Sequence, residues 1–177
     1  KLSEWQKLGK NELYISVNIS AKDFYYMDVY KTITTLVEKY GIIPKTLKLE
    51  ITETAIMTGI SGELEILEQF RNYGFQVEID DFGSGYSSLN TLKDMDVDVL
   101  KIDMGFLRTT KPDRIQRSMS ILNNIIDLSK TLGLSVITEG VETKEMVDFL
   151  VAEGCDELQG YYYYKPMEMA KFEQLIG

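Results

Sequence analysis

The sequence predicts an α/β fold of the TIM-type (β/α)8 barrel class, incomplete here, with about six βα units. Short apolar runs alternate with amphipathic helical stretches along all 177 residues, the pattern of a parallel sheet covered by helices. Each predicted strand also ends in a polar side chain: Asn18, Glu50, Asp80, Lys101, Glu139 and Gln159. A barrel brings the C-terminal ends of all its strands to one site, whereas a doubly wound sheet gathers its ligand contacts at one switch point. Strand parity points the same way. Leu47, Leu49 and Ile51 share one face and Lys48 and Glu50 the other. Val77 and Ile79 oppose Glu78 and Asp80, and Leu100 and Ile102 oppose Lys101 and Asp103. The apolar set is expected to pack under helices and the polar set to point inward.

The elements follow in order. Leu13 to Ser20 is strand-like, and Val29 to Tyr40 is a helix closed by Gly41 and Pro44. Leu47 to Ile51 is a strand. Gly62 to Tyr73 carries Leu64, Leu67 and Phe70 at helical spacing and stops at Gly74. Phe75 to Ile79 is a strand, Ser87 to Lys93 a short helix and Val99 to Ile102 a strand. Ile115 to Leu132 is the longest helix, with Ile121, Ile125, Leu128 and Leu132 on one face. A strand from Leu134 to Thr138, a helix from Lys144 to Glu153, a short strand from Glu157 to Gly160 and a helix from Met169 to Ile176 complete the chain. No linker interrupts the alternation, so residues 1–177 read as one domain. A full barrel takes about 250 residues, so two strands and a helix, roughly 70 residues, are expected upstream of Lys1.

Composition narrows the chemistry. A 44% apolar content with three prolines fits a globular fold. The net charge of −9 argues against broad binding to DNA or RNA. Histidine is absent, which removes Ser-His, Cys-His and histidine–metal chemistry and leaves acid–base work to carboxylates or lysine. Cys155, the one cysteine, forms no internal disulfide and reads as structural. No apolar run approaches the ~20 residues needed to span a membrane. The most informative local feature is Asp80-Asp81-Phe82-Gly83-Ser84-Gly85, a strand ending in two adjacent acids and a glycine-rich turn. Two adjacent anions repel unless positive charge lies beside them, and hard oxygen donors suit Mg²⁺, Mn²⁺ or Ca²⁺.

Six segments in order resemble the EAL family of cyclic di-GMP phosphodiesterases. They are Val17-Asn18-Ile19-Ser20, Leu49-Glu50-Ile51-Thr52-Glu53-Thr54, the run from Ile79 to Leu89, Leu100-Lys101-Ile102-Asp103, the run from Thr138 to Thr143, and Gln159-Gly160-Tyr161 followed by Lys165-Pro166. The resemblance covers essentially the whole chain, which would be the C-terminal three-quarters of such a barrel. The Glu-Ala-Leu signature is not in the chain; in the family it lies on an early strand and its Glu binds metal. The resemblance implies hydrolysis of cyclic di-GMP to linear pGpG with two Mg²⁺ or Mn²⁺ ions, inhibited by Ca²⁺. It implies Asn18, Glu50, Asp80, Asp81 and Glu139 as metal ligands. Glu139, Lys101, Asp81 and Gln159 would be catalytic, with Asp81, Lys101 and Gln159 also touching substrate. Glu53 would anchor the Asp81-to-Ser88 loop, which would couple a homodimer interface to the metals. It further implies bacterial signalling in the cytoplasm, with an upstream sensor or GGDEF-type domain.

Each position has a plainer reading. Asn18 can satisfy backbone groups at a strand end. Glu50 can be an interior acid paired with a lysine such as Lys48, and Lys101 the centre of an internal salt bridge. Asp103 reads as structural, Glu142 as orienting its neighbours, and Tyr161 to Tyr164 as strand-end packing, with guanine stacking the alternative. Two other functions stay open: a cyclic di-GMP receptor without hydrolysis, and a barrel lyase using Lys101 as a Schiff-base former.

Overall fold

The computed structural model describes residues 1–57, 62–83, 92, 95–103, 105 and 112–177. The strands are β1 (Ile15–Ile19), β2 (Leu47–Thr52), β3 (Gln76–Asp80), β4 (Val99–Asp103), β5 (Ser135–Glu139) and β6 (Glu157–Leu158). The helices are α1 (Leu2–Lys7), α2 (Ala21–Tyr26), α3 (Val29–Tyr40), α4 (Glu53–Met57), α5 (Glu63–Tyr73), α6 (Pro112–Leu132), α7 (Lys144–Glu153) and α8 (Met169–Leu175). All strand pairs are parallel and run in sequence order from β1 to β6. A doubly wound sheet would reverse its order partway; this one does not.

The sheet is also curled. Tyr14, just before β1, donates its hydroxyl hydrogen to Glu157 Oε2 in β6 at 3.1 Å. In a flat sheet five strand spacings would separate these ends by about 24 Å. Sequential order and touching ends make the sheet the curved wall of an incomplete barrel.

The packing follows the parity of the sequence. Leu49, Ile51, Val77, Ile79, Leu100 and Val136 are fully buried beneath the helices. Phe70 and Leu67 of α5 and Val29 and Val37 of α3 cover one half of the wall. Phe70, Tyr73, Phe75 and Tyr30 meet there as an aromatic cluster, with Phe70 and Phe75 edge to face at 5.5 Å. Leu122 and Ile126 of α6 and Leu150 of α7 cover the other half. The inward positions of β2 to β5 include Lys48, Glu50, Glu78, Asp80, Lys101 and Glu139.

Some boundaries differ from expectation. Three short helices, α1, α2 and α4, lie where the sequence shows no long periodic run. Ser20 and Asp23 form a capping box for α2, which explains a six-residue helix of modest propensity. The longest helix starts at Pro112, three residues before Ile115, because proline suits the first helical position. Strand β6 has two residues and stops before Gln159. The expected helix at Ser87–Lys93 falls outside the described residues, apart from Leu92.

Candidate functional site

The site forms at the C-terminal ends of β2 to β5. Lys101 on β4 is 3% exposed, and its ammonium lies 2.6 Å from Glu50 Oε1 on β2 and 2.8 Å from Glu139 Oε1 on β5. Asp80 Oδ1 on β3 is 3.3 Å away. One side chain therefore ties four adjacent strands. Burial alone would lower the Lys101 pKa, but hydrogen bonds to Glu139 and Glu50 and their charges raise it above the ordinary 10.5. The lysine is firmly cationic. Burial raises the Glu139 pKa, and neighbouring Asp80 and Glu50 add to that while Lys101 opposes it.

Asp81 sits one residue beyond β3 in the left-handed region, with φ 55°. That conformation is costly for a residue with a Cβ and is tolerated best by Asp and Asn. Three backbone contacts over-determine it. Asp81 N–H donates to Asp80 Oδ1 at 3.1 Å, Phe82 N–H to the Lys101 carbonyl at 3.0 Å, and Gly83 N–H to Glu53 Oε2 at 3.0 Å. Glu53 opens α4 and is 1% exposed; among the described residues its Oε1 has no partner. The Asp81 carboxyl is pushed up by burial and then by the charges of Asp80 and Asp103. Ser84 to Ser88 lie outside the described residues.

Asn18 is exposed near the end of β1 and pairs in register with Glu50. Gln159 is exposed just past β6, where its N–H donates to the Thr138 carbonyl at 2.8 Å. The next residue is confined: Val141 N–H donates to the Gln159 carbonyl and Tyr162 N–H to the Val141 carbonyl, both at 3.0 Å. A Cβ on Gly160 would overlap the Val141 backbone nitrogen and oxygen. Only glycine lets the two segments approach this closely. The clasp fixes Gln159 relative to Glu139.

The structure thus gathers Glu50, Asp80, Lys101 and Glu139 into direct contact, with Asp81, Asn18 and Gln159 at their margin. Asp103 is exposed and pairs in register with Glu139. Lys48 is not the partner of Glu50; it lies 3.0 Å from Glu78 instead. The interior Lys48–Glu78 pair is a feature that site reasoning from the sequence passed over, although parity had placed both residues inward. Tyr161 to Tyr164 are 42–66% exposed, which replaces strand-end packing with an open aromatic surface. A cavity of about 650 Å³ opens beside the start of β1, walled by Trp5 of α1, Phe172 of α8 and the segment after β6, with Tyr14, Gln159, Gly160 and Tyr161 among its lining. Of the candidate site residues only Gln159 borders it.

The donor set suits a hard divalent cation. Three carboxylates, on Glu50, Asp80 and Glu139, surround one ammonium with Asp81 beside them, and a cation relieves such an excess of negative charge. Among the described residues no three His, Cys, Asp or Glu side chains close on a common cation position as they stand. The Lys101 ammonium fills the centre.

The EAL domain family model matches residues 1–166. The bifunctional diguanylate cyclase/cyclic di-GMP phosphodiesterase MucR of Pseudomonas aeruginosa is 37% identical over 173 residues, covering 98% of this chain and 24% of that protein. The chain thus spans about a quarter of this relative's length. The structure of PaMucR phosphodiesterase in complex with c-di-GMP superposes with a TM-score of 0.87 at 35% identity, covering 96% of this chain and 68% of that one. The manganese and cyclic di-GMP complex of Klebsiella pneumoniae BlrP1 superposes at 0.78 with 26% identity, covering 91% of this chain and 41% of the other. The family model covers residues 1–166 and the parallel sheet superposes on these solved structures, so the chain belongs to the EAL domain family.

Proposed function

We propose that the chain carries most of a phosphodiesterase site that hydrolyses cyclic di-GMP to linear pGpG in bacterial signalling. The observation that carries this reading is the convergence of Glu50, Asp80 and Glu139 on Lys101 at the strand ends. The c-di-GMP complex of PaMucR and the manganese complex of BlrP1 support the substrate and the cation class.

Asn18, Glu50, Asp80, Asp81 and Glu139 would hold two Mg²⁺ or Mn²⁺ ions. When bound, such ions lower the pKa of water and neutralise phosphate charge. Glu139 takes the proton of the attacking water at a carboxylate oxygen. Gln159 orients that water. Water oxygen bonds to phosphorus as the bond to the 3′ oxygen breaks; the proton taken by Glu139 passes to that 3′ oxygen, leaving a free 3′ hydroxyl and a 5′ phosphate on the linear product. Lys101 stabilises the charge that builds on the phosphoryl oxygens. Asp81 contacts the substrate at the rim, held in its turn by the Glu53–Gly83 hydrogen bond. Ca²⁺, with longer and looser coordination, would occupy the donors without supporting turnover.

One observation favours a second reading. Lys101 occupies the centre of the carboxylates, and a site kept in that state would bind nucleotide without cleaving it. Tight cyclic di-GMP binding with no pGpG formed at saturating Mn²⁺ would establish this receptor function. The firmly cationic state of Lys101 argues against imine chemistry, which needs the neutral amine. A homodimer, an upstream sensor or GGDEF-type domain and a cytoplasmic location remain part of the proposal. Among the described residues no helix is long and apolar enough to cross a membrane.

A further inference from the structure

Directly beneath the Lys101 site, two buried carboxylates stand side by side. Glu50 on β2 and Glu78 on β3 pair in register, and they are 9% and 1% exposed. Two lysines bracket them. Lys48, two residues before Glu50 on the same face of β2, lies one layer below. It is 4% exposed, and its ammonium is 3.0 Å from Glu78 Oε1. Glu78 pairs in register with Val99 on β4, which puts Lys101 one layer above. The Lys101 ammonium is 2.6 Å from Glu50 Oε1 and 3.3 Å from Asp80 Oδ1.

Strand geometry permits either lysine to meet either acid. Lys48 and Glu50 are neighbours on one face of one strand. Lys101 reaches both the register partner of Glu78 and the residue two positions along from it. Glu78 also has acceptor capacity to spare: among the described residues its Oε1 makes no hydrogen bond, and the ion pair to Lys48 is what satisfies it. Burial raises the Glu78 pKa; of its neighbours Lys48 lowers it, Glu50 raises it and Lys101 lowers it. The charge of Lys101 therefore already acts on Glu78. Without Lys48, the buried Glu78 would draw the Lys101 ammonium down and away from Glu139. Without Glu78, Lys48 would turn to Glu50 and compete with Lys101 for it.

A buried ion pair is rarely needed for stability alone, since apolar replacements of both partners are often neutral or stabilising. We propose that Lys48 and Glu78 are positioning residues: by pairing with each other they leave Glu50 to Lys101, and so hold the Lys101 ammonium against Glu139 and Asp80. The turnover arm of the test rests on the phosphodiesterase reading; the spectroscopic arm does not.

The test compares wild type, Lys48→Met, Glu78→Gln and the double variant Lys48→Met/Glu78→Gln in the protein that carries this chain. Each single variant leaves one buried charge without its partner, and the double variant removes both. Lysine labelled with ¹³C and ¹⁵N reports the Lys101 ammonium in the presence of a chelator, its signal identified by its loss in Lys101→Arg. Cyclic di-GMP turnover with Mn²⁺ is measured alongside. Both single variants are expected to move the Lys101 signal and to lose about tenfold in kcat with little change in KM. The double variant is expected to return the signal to its wild-type position and kcat to within about twofold of wild type. Lys48→Met can fail to fold; Glu78→Gln, which keeps the shape of the acid, then carries the comparison with the double variant. An unmoved Lys101 signal in a folded single variant overturns the proposal, even where that variant melts lower, because a purely structural pair gives that result. A double variant displaced as far as the single variants also overturns it. A wild type that does not turn over substrate counts against the phosphodiesterase reading, and the Lys101 signal then decides the positioning role alone.

Discussion

At the residue scale, Lys101 and Gly160 carry the sharpest consequences. Lys101→Met removes the ammonium and leaves Glu50, Asp80 and Glu139 facing one another. Stripped of metal by a chelator, the variant is expected to be about 3 kcal/mol less stable than wild type. Mn²⁺ should then raise its melting temperature more than it raises that of wild type, because the carboxylates are free to close on the cation. Thermal unfolding with and without Mn²⁺ checks both. Gly160→Ala forces a methyl group into the Val141 backbone. It should cost about 3 kcal/mol or more in urea unfolding, above the usual range for an overpacked side chain, because backbone has to move. The polar strand ends were legible in the sequence because residue type and parity both mark them. The pairing was not legible: parity places Lys48, Glu50, Glu78 and Lys101 in one interior, but which lysine meets which acid depends on stagger between strands. Glu50 could have met Lys48, two residues away on its own strand; the fold gives it Lys101 instead.

At the element scale, one device recurs where strands begin. Asp98, just before β4, donates its N–H to the Val77 carbonyl and accepts the Val77 N–H at Oδ2, both at 2.9 Å. Asp156, just before β6, treats Val136 the same way, at 3.2 Å and 2.8 Å. Each aspartate extends the ladder by one pair and fixes the register of the incoming strand. Asp98 also accepts from Arg71 Nε at 3.0 Å, which ties α5 to the bottom of the sheet. Asp98→Ala leaves the Val77 N–H without its carboxylate, and chemical denaturation should show a loss of about 1–3 kcal/mol. Glu53 acts at the opposite end of the sheet. Glu53→Ala removes the acceptor for Gly83 N–H, and with it one of three contacts holding Asp81 at positive φ. Turnover of cyclic di-GMP is expected to fall by about tenfold or more in this variant. Long elements such as α3 and α6 were readable from apolar period and stop signals. The short ones, α2 and α4, were not, because a helix of five or six residues is set by caps and tertiary packing and not by periodicity.

On the scale of the whole molecule, the sequence supports a barrel over an open sheet because its polar residues recur at every strand end. The structure adds the sequential strand order and the contact of Tyr14 with Glu157 that curls the wall. Both interior lysines have raised pKa values. For Lys48, burial alone would lower it, but Glu78, Tyr14 and Glu157 raise it above 10.5; for Lys101, Glu139 and Glu50 do the same. Folding therefore tightens proton binding to both. The stability they contribute is fully present below about pH 10.5, the unfolded value, and is lost as pH rises through the higher folded values. Melting temperature in chelator should fall above pH 10.5, and less steeply in Lys48→Met/Glu78→Gln, which lacks one of the two titrating groups. The strand-end carboxylates around Lys101 are proposed to serve phosphodiester hydrolysis. The most direct test is pGpG formation from cyclic di-GMP with Mn²⁺ or Mg²⁺ by the protein that carries this chain, wild type beside Asp80→Ala. Turnover by wild type and a loss of about 100-fold or more in the variant are expected. Equal rates in the two proteins, or tight binding by wild type with no pGpG formed, would contradict that role.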